Sequence, residues 1–281
     1  MPTQAEKAAR FKELHEGEKA FLLPNPWDVG SAQMLAGMGA AALATTSSGH
    51  AFTLGAFDST EAVSREVAVA HAKDIADATH VPVSGDFENG YGHTPEDVAL
   101  TVKAAIEAGL AGCSIEDTTM DKSNPSYDFD IAVARVKAGV EAARSVDFPF
   151  QFCARADGFM IEAYDMDEAI RRVKAFEEAG ADVLYIPFLQ DIEALKNLRA
   201  AVTKPINVLA YGPMAAVSMD ELSTAGANRI SLGGSLHNVA MDAAYRGAKA
   251  MLEEGDFTMI GEARTLGKLH KARKVAISEN K

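Results

Sequence analysis

The sequence predicts an α/β chain whose eight strands close into one (β/α)8 barrel. Short apolar or β-branched runs ended by polar residues occur eight times, and stretches with helical periodicity separate them. The length of 281 residues is close to the roughly 250 that such a barrel uses and too short for two large domains. Residues 1–281 therefore read as a single barrel domain.

The strands fall at 21–25, 41–47, 81–88, 112–117, 150–157, 182–188, 205–211 and 229–233. Helical periodicity covers 61–79, 95–108, 131–145, 167–179, 191–201, 218–225 and 236–253, most stretches closing on Ala-Gly or a similar signal. The third strand rises from Val81-Pro82-Val83 into Gly85-Asp86-Phe87-Glu88. Behind it, Thr94 as N-cap, Pro95 at the first helical position and Asp97 at the third mark a helix start. Asp86 and Glu88 thus sit in a strand-to-helix loop, at the catalytic end of such a sheet. The two-residue alternation of an extended strand predicts that both carboxylates share one side and converge on a hard cation. Carboxylates at a strand end also serve as solvated or capping groups, and this segment alone does not choose.

A hydrophobic content of 48% is ample for a barrel core under an outer helical layer, and no Pro/Ser/Gly-rich linker interrupts the alternation. The net charge of -13 argues against nucleic acid or an anionic membrane as partner. No apolar run approaches the roughly 20 residues that span a bilayer, and the start MPTQAEKAARFKEL lacks a signal-peptide core, so a soluble cytoplasmic protein is expected. Cys113 and Cys153 both fall inside predicted strands and read as buried structural thiols, without a disulfide framework. An acidic chain that takes an acidic substrate needs local positive charge from a metal ion, an arginine or helix N-termini.

In a barrel all strand C-terminal ends surround one mouth. Strand two ends Thr45-Thr46-Ser47-Ser48-Gly49-His50, either a carboxylate-binding turn whose glycine admits close backbone approach or an ordinary Ser/Thr/Gly turn. Strand four ends in Glu116-Asp117, and strand five places Arg155 at the same rim, where its fork serves an ion pair, an anionic substrate or both. Asn207 and Tyr211 on strand seven, and Ser231, Ser235 and His237 near the last loop, complete the polar set. Taken singly, each of these has core or capping polarity as its ordinary role.

The ordered series Ser48-Gly49, Asp58, Asp86-Phe87-Glu88 with Gly90-Tyr91-Gly92, Ser114-Ile115-Glu116-Asp117 and Ala154-Arg155-Ala156-Asp157 resembles the isocitrate lyase and phosphoenolpyruvate mutase superfamily, over residues 21–253. The resemblance implies Mg²⁺, or Mn²⁺ in its place, held partly through water by Asp58, Asp86, Glu88 and Glu116. It implies a substrate carboxylate gripped by Ser48, Gly49 and His50, with Asn207 also on the substrate. Arg155 and the metal then stabilise the enolate formed when a bond to C3 breaks. It also implies a homo-oligomer, a tetramer or a dimer, with the C-terminal helical segment 236–281 exchanged between subunits.

The chain departs from that pattern in two places. Glu88 stands where the family more commonly has Asp, which ranks it below Asp86 as a ligand. The stretch from Thr118 to Tyr127 is short and holds no cysteine, whereas the family's lyases carry a Lys-Lys-Cys-Gly-His type loop there. Isocitrate-type cleavage loses its acid/base thiol, and oxaloacetate decarboxylation, where CO2 leaves without proton removal, is the expected reaction. Tyr211, His237 or a metal-bound water is the expected proton source. The alternatives are a lyase for a branched 2-hydroxy diacid, a phosphonopyruvate hydrolase-like C–P cleavage, and a barrel that binds a metabolite without turnover.

Overall fold

The computed structural model describes residues 2–262 and 265–280. All eight expected strands form: β1 (Phe21–Leu23), β2 (Leu43–Ala44), β3 (Val83–Asp86), β4 (Gly112–Glu116), β5 (Gln151–Arg155), β6 (Val183–Tyr185), β7 (Ile206–Leu209) and β8 (Arg229–Ser231). Seven parallel pairings give the order β1-β8-β7-β6-β5-β4-β3-β2. The remaining seam, between β1 and β2, is bridged by Ala44 N–H donating to Pro24 O at 3.1 Å and by Asn25 Nδ2 donating to Thr45 O at 2.8 Å. Asn25 Oδ1 meanwhile accepts from the N–H groups of Leu232 and Gly233, so one amide ties three strand ends together.

The strands are shorter than their sequence pattern because the polar residues at their ends turn into loops. Asp86 is the last residue of β3, and Glu88 lies beyond it at φ 45°, in a turn closed by Gly90 N–H on Phe87 O at 2.7 Å. The alternation expected to place Asp86 and Glu88 on one side of a strand therefore stops before Glu88.

The helices are α1 (Gln4–His15), α2 (Val29–Gly37), α3 (Ser47–Thr53), α4 (Arg65–Asp77), α5 (Pro95–Glu107), α6 (Phe129–Ala143), α7 (Met166–Glu178), α8 (Ile192–Ala201), α9 (Met219–Thr224), α10 (Ser235–Lys249), α11 (Thr258–Glu262) and α12 (Leu266–Glu279). α1 starts at a Thr3–Glu6 capping box and plugs the N-terminal end of the barrel. There Phe11 and His15 meet Phe21 edge-on, and Lys7 Nζ donates to the carbonyls of Ala76 and Thr79 at the end of α4. The C-terminal segment divides in two. α10 buries only His237 and Gly247, whereas α12 packs on α2 of its own chain, where Gly37 leaves no room for a Cβ against Ala272 and Arg273 Nη2 bonds Gln33 Oε1 at 3.0 Å. Residues 263, 264 and 281 of that segment lie outside the described residues.

The register positions the site. Glu116 pairs with Arg155, Arg155 with Tyr185, Tyr185 with Asn207, Asn207 with Arg229, and Arg229 with Phe21. Laterally paired residues of a parallel sheet face the same side, so this whole row points into the barrel. Because barrel strands are staggered, the row slopes from the mouth at Glu116 to the plugged end at Phe21.

Candidate active site

Arg155 is the centre of the mouth. Its Nε and Nη2 grip Asp157 at 2.9 and 2.6 Å, its Nη1 reaches Asp86 Oδ1 at 2.7 Å, and Nη2 stands 3.3 Å from Glu116 Oε2. The guanidinium carbon lies 5.0 Å from the centroid of the Tyr185 ring. Burial opposes its charge, but Asp157, Asp86 and Glu116 outweigh that and lift its pKa well above the ordinary range. The fork is thus locked, charged and aimed by three carboxylates.

Asp86 is fixed by more than the arginine. Its Oδ2 accepts from the Ser47 N–H at 3.0 Å and the Ser47 hydroxyl at 3.1 Å, at the start of α3. The hydroxyl-rich run expected as a turn is this helix start, with Thr46 as its cap. Ser48 lines the inner of the mouth's two cavities, whereas His50 does not: its ring stacks on His71 at 3.7 Å, and burial followed by His71 pushes its pKa down to about 4. Gly49 is demanded by packing, since a Cβ there would lie 2.9 Å from Trp27 Cβ. Of the expected carboxylate-binding trio, then, only the serine reaches the cavity.

Of the four expected metal ligands, Asp58, Asp86 and Glu116 line the same cavities as Arg155, and Glu88 lies in an adjoining cleft. Asp58, on the loop between α3 and α4, has a buried Oδ1 with no hydrogen-bond partner, and burial and then Asp86 raise its pKa. Burial, Asp58 and Asp86 push Glu88 up to about 8, although it opens onto a neighbouring cleft with Glu61, Asn89 and Tyr91. Burial and then Asp157 raise Glu116 well above the carboxylate range, and Thr118 Oγ1 donates to it at 2.6 Å. The orphaned Asp58 oxygen beside the other acids is chemistry that a hard divalent cation would fit. Among the described residues no three carboxylates or other metal-binding side chains form one coordination group. The acid that follows β4, Asp117, is structural: it accepts from Arg172, Tyr164 and the N–H groups of Asp157 and Gly158.

Two connected cavities share Ser47, Asp58, Arg155 and Met160. The outer one, about 380 Å³, lies under the loop 118–127 and the apolar lip Met120, Met160 and Ile161. That loop is a folded hairpin: Thr118 bridges Ser126 antiparallel, and Asp121 Oδ1 accepts from the N–H and hydroxyl of Ser123. The inner cavity, about 160 Å³, descends past Tyr185 and Asn207 to Arg229. Tyr211 and His237 line neither cavity, which corrects their expected catalytic placement. The Tyr211 ring rests 5.3 Å from Phe188 and is 44% exposed, while His237 is wedged between Trp27 and Phe52. Asn25, Tyr185 and Arg229 are cavity residues that strand-end reasoning misses, because Tyr185 and Arg229 belong to the inward row below the rim and Asn25 acts through its amide. Both cysteines are buried; Cys113 faces the outer core, and Cys153 packs inside the barrel with Val183, Tyr185 and Leu209.

A parallel barrel whose C-terminal mouth holds a clamped guanidinium within a ring of carboxylates has the form of an enzyme active site. The profile of the family described as phosphoenolpyruvate phosphomutase matches residues 11–252, and the chain belongs to that family. The chain is similar to a lyase/mutase-class structure from Burkholderia cenocepacia J2315, with 40% identity, a TM-score of 0.91 and 95% of both chains covered. It is 30% identical over 242 residues to the Mycobacterium tuberculosis (strain ATCC 25618 / H37Rv) protein Rv1998c, covering 86% of this chain and 88% of that one. It is 34% identical over 182 residues to Probable 2-methylisocitrate lyase 2 of Corynebacterium glutamicum, covering 62% of this chain and 58% of the relative. Lyase or mutase chemistry on small carboxylates follows from this membership.

Proposed function

We propose that the protein is a divalent-metal-dependent carbon-carbon lyase that forms an enolate from a small 2-oxo or 2-hydroxy carboxylate, with decarboxylation of oxaloacetate as the reaction that asks least of its site. The observation behind this reading is the Arg155–Asp86 pair at 2.7 Å inside the acid ring. A thiol-free loop at 118–127 supports it, because loss of CO2 needs no base.

Mg²⁺ or Mn²⁺ would be held among Asp86, Asp58, Glu88 and Glu116, and would supply a Lewis acid for the 2-oxo group and its enolate. The chain's own residues do the rest. Ser48, whose N–H in the first turn of α3 has no partner among the described residues, receives the substrate carboxylate. Arg155, held by Asp157, faces the oxygen on C2 and stabilises the charge that develops there. When the C3–C4 bond breaks, its electron pair enters the enolate and CO2 departs. C3 then takes a proton, for which the buried Tyr185 hydroxyl is the cavity's donor.

The test is pyruvate release from oxaloacetate with Mg²⁺, measured against Asp86→Ala and against metal alone. A rate at least about a hundredfold above both controls is expected. Equal rates in wild type and variant dismiss the proposal. A second reading, a lyase that splits a branched 2-hydroxy diacid, is favoured by the inner cavity running on past Arg155 to Arg229. Self-association through α10, with no nucleic acid or membrane partner, belongs to the same proposal.

A further inference from the structure

The two arginines of the cavity differ in a way the acid ring does not explain. Arg155 has three carboxylates, whereas Arg229, 4% exposed at the start of β8, pairs with none among the described residues. Its Nε donates to Asn207 Oδ1 at 2.8 Å, and its Nη1 lies 3.3 Å from His15 Nε2. His15 provides no counter-charge. Burial, then Arg229 itself, push its pKa down to about 3, and its Nδ1 bonds Phe11 O at 2.8 Å, which assigns the proton to Nδ1 and leaves Nε2 as an acceptor. Nη2 has no protein partner among the described residues, and the side chain borders the inner cavity.

The surroundings are arranged for an anion. The Asn207 amide turns its oxygen to Arg229 and its nitrogen to Ser231 Oγ at 2.9 Å, so its orientation is set from both ends. Leu23, Ala44 and Leu209 make the adjoining walls apolar, and a cavity of about 160 Å³ has room for roughly five waters or a short acid chain. A buried guanidinium with no carboxylate partner is costly until an anion joins it.

We propose that Arg229, with Asn207 and Ser231, is an anion subsite on the cavity floor that holds the second carboxylate of a diacid substrate. The identity of the ligand rests on the enolate reading above; the subsite itself does not.

Calorimetry on the full chain with Mg²⁺ tests this with two probes: oxalate, which engages the metal end alone, and 3,3-difluorooxaloacetate, which adds a second carboxylate. Arg229→Gln should weaken the longer probe about tenfold to a hundredfold and oxalate by less than about twofold, with Arg229→Lys between. Ser231→Asp brings an internal carboxylate to the guanidinium and should lose the same affinity in a folded protein. Weakening of both probes alike, or of neither, overturns the subsite. If oxalate fails to bind wild type, the enolate reading falls by itself and metal-free succinate decides the subsite. Binding to wild type that disappears in Arg229→Gln or Ser231→Asp upholds it, and no binding to wild type overturns it.

Discussion

Arg155 and Asp157 form a two-point pair, Nε to Oδ1 at 2.9 Å and Nη2 to Oδ2 at 2.6 Å, that leaves Nη1 free to hold Asp86. Asp157 is itself anchored by its N–H on Asp117 Oδ1, so the clamp is built on β4 and β5 together. Asp157→Asn keeps the shape but loses half the fork, and turnover should fall about tenfold to a hundredfold with the Michaelis constant little changed. Steady-state kinetics beside a melting curve checks it, and an unaltered turnover number would remove Asp157 from the machinery.

Glu88 supplies a pH signature. Its folded pKa of about 8 lies above the ordinary 4.5, so between those values the folded metal-free protein keeps a proton that the unfolded chain has released. Stability should therefore decline as pH rises through that window. Glu88→Gln should flatten the decline, read as melting temperature against pH in chelator. Parallel curves for wild type and variant would show that burial does not hold the proton.

Gly49→Ala separates packing from ligand binding. The added methyl would sit 2.8 Å from Thr46 Cγ2 and 2.9 Å from Trp27 Cβ, and neither neighbour is a flexible chain end. A loss of about 1–3 kcal/mol in denaturant unfolding is expected. A variant as stable as wild type would return the glycine to a role in ligand approach.

α10 leaves Val239 65% and Tyr245 67% exposed, and Leu252, Phe257 and Ile260 beyond it are exposed as well. Exposed apolar residues along one segment are what a subunit contact would cover. Light scattering should return a mass that is a multiple of 29.8 kDa, and Val239→Asp with Tyr245→Ser should lower it. A monomeric wild type would rule out the exchange of this segment.

Residues that act at strand ends were legible. Asp86, Glu116 and Arg155 each close a short apolar run, and closure alone places them at one mouth. Depth was not legible, because Tyr185 and Arg229 owe their place to the stagger of the strands, which no local pattern encodes. Direction was lost too: Tyr211 and His237 follow the right strands, yet Phe188 in one case and Trp27 with Phe52 in the other decide where the rings lie. α1 had a readable signal in Thr3 and Glu6, the capping box before an apolar stripe. α3 did not, since Ser and Thr in series suit a turn as well as a helix start.

The sloping row from Glu116 through Arg155, Tyr185 and Asn207 to Arg229 makes the cavity's chemistry a matter of hydrogen-bond pairing and not of loop shape. Deleting one residue within any of these strands would rotate its member outward among the surrounding helices and break the line. Such a barrel can acquire a new preference only by exchanging a side chain in place or by remodelling what overhangs the opening. The lengths of β4 to β8 are in effect frozen by the polar thread they share.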